Sequence, residues 1–184
     1  MHRSRAVNAI VRAYRQRFQR VLAAQLRTFS EEPTIEAAVI RAARAETPDG
    51  RRYSHQRRIP KATLAESRER LLGIEYTAIR SFVDLHSTVA RCIGSIHRAG
   101  ELLVYDTSLR IGAKLSLMPN RVYLHSGTRK GVRNLGLRWN RDTMELAELP
   151  AAFRELKAHE IEDCLCIFKD AFAGTERPNA NPCP

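Results

Sequence analysis

Residues 98–137, RAGELLVYDTSLRIGAKLSLMPNRVYLHSGTRKGVRNLGL, decide how this chain is read. A glycine-containing loop is followed by a helical stretch with Leu102, Leu103, Leu109, Ile111 and Leu115 as its apolar positions. A turn at Pro119, a short apolar run at Val122–Leu124, a second glycine-containing loop and a basic helix come next. Gly100 permits a tight turn, and the helix starting near Glu101 opens with backbone N–H groups that lack intrahelical partners. Such amides donate to a phosphate, helped by the helix dipole, although an ordinary capped helix has the same sequence.

Around this segment the chain reads as helical. Val7, Ile10, Val11, Tyr14, Phe18, Val21, Leu22 and Leu26 recur at steps of three and four, which predicts one amphipathic helix over 1–29. Seven arginines decorate it and no acid precedes Glu31. That pattern suits a core-packed helix with a solvated basic face, a helix tracking phosphates, or an Arg-rich presequence or membrane-surface helix. Thr34 is placed as the N-cap of a helix over 35–45, and Thr47-Pro48-Asp49-Gly50 signals a turn. Thr63 is read as the cap of a helix ending near Leu72, and 74–97 as helical with a break near Ser81. Arg121–His125 is the only β-like run. The prolines and polar residues of 174–184 predict a flexible tail.

Charge narrows the choice of partner. Lys+Arg number 31 against 20 Asp+Glu, a net charge of +11. That excess points to an anionic partner, and the preference for Arg over Lys leans toward phosphates and base edges. No apolar run approaches the ~20 residues of a membrane span. The four cysteines resemble no disulfide framework and are read as reduced, in a cytoplasmic protein. In HEIEDCLCIF (159–168), His159, Glu160, Asp163, Cys164 and Cys166 are ligand types at a spacing that fits no common zinc pattern. An amphipathic helix with Cys164 or Cys166 partly buried is expected there, and no metal or other cofactor.

Residues 93–137 resemble the helix-hairpin-helix DNA glycosylase superfamily, which includes 8-oxoguanine DNA glycosylases. Ile96-His97-Arg98-Ala99-Gly100 stands where the family has its apolar–Gly–apolar–Gly hairpin, followed by ELLVYDTSLRIGAKL. Pro119, Val122-Tyr123-Leu124, His125-Ser126-Gly127-Thr128 and RKGVRNLGL then follow in the family's order. Arg98 replaces the hairpin's first glycine, His125 stands where the family's catalytic aspartate is expected, and Leu102 or Leu103 where some members carry a nucleophilic lysine. The resemblance implies a helical fold with a DNA-facing hairpin, without the family's catalytic pair.

The expectation is therefore a mainly α single-domain bundle over 1–173 with a helix-hairpin-helix-like element at 93–137. Its expected partner is nucleic acid, double-stranded DNA in the first instance. Arg51, Arg52, Arg57, Arg58, Gly100, Arg110, Lys114, Thr128, Arg129, Lys130 and Arg133 are the candidate phosphate contacts. In RRYSHQRRIP (51–60), Tyr53, His55 and Gln56 interleave the cations and could stack on or bond to bases. Asp106, four residues before Arg110, forms an intrahelical pair or acts as a catalytic carboxylate. His125 is the other catalytic candidate, and Tyr105 and Tyr123, with Trp139, are candidate stacking partners for a flipped base. An active glycosylase using Asp106, His125 or Asp163 in place of the missing pair, or an interaction protein docking through its basic N-terminal helix, are the rival readings.

Overall fold

The computed structural model describes residues 2–173. The elements are α1 (His2–Tyr14), α2 (Arg20–Ser30), α3 (Ile35–Arg44), α4 (Lys61–Leu72), α5 (Phe82–Ile93), α6 (Glu101–Leu115), β1 (Val122–Tyr123), α7 (Ser126–Asn134), β2 (Thr143–Met144) and α8 (Ala158–Ile167). A π-helical segment, Arg15–Gln19, joins α1 to α2, and 3-10 turns occupy Ser54–Gln56, Tyr76–Ala78, Leu146–Glu148, Ala151–Phe153 and Ala171–Ala173. The protein is mainly α-helical, as its periodicity predicts, and among the described residues no helix is long and apolar enough to cross a membrane. The tail expected to fray lies outside the described residues. The described residues group into two compact units, 2–23 with 120–173, and 24–119.

In the first unit, Val7, Ile10, Val11 and Tyr14 put the apolar stripe of α1 into a core shared with Val132 and Leu135 of α7 and Ile161, Cys164 and Leu165 of α8. Phe18 of the π-helical segment meets Phe168 edge-on with ring centroids 5.8 Å apart. The β-like run is a two-residue strand, paired antiparallel with β2 in the register Val122↔Met144. Helices α7 and α8 approach through Gly131, where a Cβ would lie 2.5 Å from the Leu165 carbonyl oxygen. HEIEDCLCIF is buried more completely than an amphipathic helix requires. His159, Glu160 and Glu162 are buried along with Cys164 and Cys166.

The second unit is built around α6. Residues 103–105 and 107–112 of that helix are all buried, so it packs on nearly every side, against α3 and α5 in particular. Ala38, Ala42 and Ala43 on α3 are small enough to admit close packing, and Thr34 caps that helix by accepting from the Ala37 amide at 3.1 Å. Ser81 caps α5 in the same way, at the expected break. Thr63 does not cap α4. Pro60 precedes that helix, and Thr63 lies in its first turn, where its hydroxyl donates to the His97 carbonyl at 2.9 Å. The bond ties the start of α4 to the turn joining α5 and α6. In that turn Arg98 has φ 65°, a left-handed conformation, and Gly100 is the N-cap of α6.

Candidate nucleic-acid interface

The segment 51–60 runs beside α6. Its backbone leaves α3 through a bridge between Glu46 and Arg52, and Arg52 donates to the Ile59 carbonyl at 2.9 Å, closing the loop on itself. Tyr53 and Gln56 turn inward and are buried, so the interleaved planar residues do not form an exposed stacking surface. His55 Nε2 lies 2.7 Å from Asp106 Oδ2 on α6. Arg110, one turn further on, reaches the same oxygen at 3.5 Å and lays its guanidinium over the Tyr53 ring, 4.1 Å from the centroid. Sequence spacing identifies the Asp106–Arg110 pair; it misses His55, whose partner is 51 residues away.

Arg110 is buried, and its Nη1 has no hydrogen-bond partner among the described residues; the Tyr53 hydroxyl is in the same position. Burial pushes the Tyr53 hydroxyl's pKa up, against the opposing pull of Arg110 and Arg41. The Asp106 carboxylate is thus held from two sides, by an imidazole and by a guanidinium stacked on an aromatic face.

The outer face is cationic. Arg57, Arg58, Lys61 and Arg98 are exposed, and none forms an ion pair with another described residue. Chain connectivity and the Thr63–His97 bond gather them around the starts of α4 and α6. Neither helix start has a side-chain cap. Gly100 is exposed, and a Cβ there would meet nothing within 4 Å, so its backbone side is open. Other expected contacts are engaged elsewhere in this unit: Arg51 pairs with Asp49 at 3.1 Å, and Lys114 binds the Ser30 and Glu32 carbonyls. Tyr105 is buried, edge-on to Phe82.

His125 and the 125–133 segment belong to the first unit. His125 is the N-cap of α7; its Nδ1 accepts from the Gly127 amide at 3.3 Å and its Nε2 bonds Glu162 of α8. Thr128 is fully buried, with its hydroxyl donating to the His125 carbonyl at 2.9 Å and accepting from the His125 amide at 2.7 Å. Arg129 bonds the Arg141 carbonyl and Asp142, Lys130 pairs with Asp170, and the Arg133 guanidinium lies 5.9 Å from the exposed Trp139 ring. Tyr123 is buried in β1. Asp163 lies beside Tyr14, whose hydroxyl is pushed well up by burial and further by that carboxylate.

One cluster has the composition of a metal site: the ligand atoms of His125, Glu162 and Cys166 all lie within 4.8 Å of one another and all three residues are buried. Its hydrogen bonding fits a cation poorly. Nδ1 accepts from an amide, which leaves the proton on Nε2, where it is donated to Glu162. Cys166 is disulfide-bonded, a departure from the reading of four reduced cysteines, so it offers no thiolate.

Compared with known protein families, curated proteins and solved structures, the chain gives no match.

Proposed function

We propose that the protein binds nucleic acid through the α5–turn–α6 hairpin of its second unit, with duplex DNA as the partner the helix-hairpin-helix resemblance implies. The observation that carries this reading is the backbone of the turn. Arg98 stands where the resemblance calls for the hairpin's first glycine, and it takes the left-handed conformation that glycine favours, with φ 65°. Gly100, at the second glycine position, opens α6 with its backbone side uncovered. Exposed Arg57, Arg58, Lys61 and Arg98 flank that opening and supply the charge for a phosphate backbone. A glycosylase-like arrangement of the remaining helices is part of the same proposal.

The test is charge reversal followed by fluorescence anisotropy on labelled duplex DNA and single-stranded RNA. Arg57→Glu, Arg58→Glu and Arg98→Glu together weaken binding by about 100-fold or more, since each lost phosphate contact is worth about 1 kcal/mol or more when replaced by repulsion. Arg80→Glu, at the opposite end of α5, serves as the control and leaves binding within about two-fold. Equal losses from the control and the triple variant would refute the placement.

A further inference from the structure

Resting on the nucleic-acid reading, we infer that His55 is a general base that cleaves bound RNA by transesterification, with Asp106 as the residue that positions it. One ring nitrogen of His55, Nε2, is 2.7 Å from the Asp106 carboxylate, while Nδ1 has no hydrogen-bond partner among the described residues. The His55 side chain is 23% exposed and that of Asp106 14%, so the dyad reaches the surface at the imidazole and is sheltered at the carboxylate. A carboxylate that fixes the ring through one nitrogen and leaves the other without a protein partner is the arrangement by which proteins orient a general base. Asp106 is itself restrained by Arg110, which is buried and stacked on Tyr53. The imidazole therefore rests on the rigid central helix although it belongs to a loop.

The surroundings choose the substrate. Arg57 and Arg58 follow His55 by two and three residues, and the open start of α6 lies about 7 Å along the helix axis from Asp106. A phosphate held by these cations presents its sugar to His55. The dyad's one carboxylate is engaged by His55 and Arg110, so the dyad offers a base and no nucleophile, beside the cations and the exposed Glu101 that opens α6. That set suits a substrate carrying its own nucleophile, which RNA does in its 2′-hydroxyl and DNA does not. In the step, His55 Nδ1 takes the 2′-hydroxyl proton and the 2′-oxygen forms a bond to the adjacent phosphorus. The bond from phosphorus to the 5′-oxygen breaks with its electron pair, and that oxygen takes a proton from water. The products are a 2′,3′-cyclic phosphate and a 5′-hydroxyl, and the imidazolium returns its proton to solvent. Arg57 and Arg58 offset the charge that builds on the phosphoryl oxygens.

The experiment uses the full chain, an end-labelled single-stranded RNA and the same sequence with 2′-O-methyl sugars, with binding and cleavage both followed. The expected result is cleavage of the RNA to cyclic-phosphate ends, binding without cleavage of the methylated strand, and at least a ~100-fold lower rate for His55→Gln. That variant keeps a side-chain N–H for Asp106 and has no base, so its loss is separable from unfolding, which its binding affinity reports. Asp106→Asn lowers kcat with KM within about two-fold, as loss of orientation without loss of phosphate contacts requires. Binding of RNA by the wild type without cleavage, cleavage of the methylated strand, or full activity in His55→Gln would overturn the inference while leaving the nucleic-acid reading intact. Failure to bind either RNA or DNA would instead remove the reading beneath it.

Discussion

His125, at the start of α7, and Glu162, in the middle of α8, are joined by a buried hydrogen bond between Nε2 and the carboxylate. The imidazole is held at both ends, since Nδ1 accepts from the Gly127 amide. The residue that stands where the resemblance places a catalytic aspartate thus fastens two helices of the first unit together.

Removing one partner of this bond leaves the other poorly solvated in the core. His125→Ala is expected to lower unfolding free energy by about 3 kcal/mol, a loss that includes the helix cap. Glu162→Gln costs less, because its amide oxygen still accepts from Nε2. Urea titrations of both variants check the order; equal stability of His125→Ala and wild type would contradict it.

Gly131→Ala tests the backbone contact between α7 and α8. Alanine is favoured over glycine within a helix by about 1 kcal/mol, yet its Cβ would be 2.5 Å from the Leu165 carbonyl oxygen and 3.2 Å from its carbon. Overpacking of this kind costs about 1–3 kcal/mol, and backbone cannot swing away as a side chain does, so net destabilisation is expected. Thermal melts of Gly131→Ala beside Gly100→Ala, which meets no neighbour, measure the difference.

Acid sensitivity should be traceable to His159. Burial pushes its pKa from 6.5 down to about 4, Glu160 opposing the shift and Lys157 adding to it. The unfolded chain therefore takes up a proton near pH 6.5 and the folded chain only near 4. Stability is retained in full above about pH 6.5, falls as pH drops through that window, and is lost by about 3 kcal/mol below it. Denaturation at pH 7 and pH 4.5 should show a smaller loss for His159→Gln than for wild type.

Thiol reactivity should separate Cys92 and Cys164, the two free cysteines among the described residues. Cys164 is fully buried, and burial, with Asp163 adding, holds its thiol well above the ordinary range. Cys92 is only partly buried. Alkylation of the native protein followed by mass spectrometry is expected to modify Cys92 first, with Cys164 labelled only after denaturation.

The order of elements across 98–137 was legible because glycine, proline and apolar spacing act locally: Gly100 opens α6, Pro119 closes it off, and His125 begins α7. Thr34 and Ser81 were legible as caps for the same reason. Thr63 has the residue type of a cap but does not act as one, because its hydroxyl serves a carbonyl 34 residues away. Ile161, Leu165 and Phe168 predict an amphipathic helix for HEIEDCLCIF with Cys164 or Cys166 partly buried, whereas its acids are buried too because their partners come from elsewhere: His125 satisfies Glu162 from the N-cap of α7, and Glu160 accepts from Gln19 at 3.0 Å. The His55–Asp106 bond was invisible for a related reason. Periodicity reports which face a residue occupies on its own helix, and nothing in the spacing tells which loop will cross that face. A histidine amid arginines and an aspartate in a mostly apolar helix were the available signals.

The cations around the start of α6 are the centre of the nucleic-acid proposal, and the salt dependence of DNA binding measures them directly. Four phosphate contacts from Arg57, Arg58, Lys61 and Arg98 predict a roughly 100-fold loss of duplex affinity between 50 and 200 mM salt, with the logarithmic slope reduced by about one for each cation replaced by glutamine. Affinity that is unmeasurable at 50 mM, or a slope unchanged when all four are replaced, would contradict it.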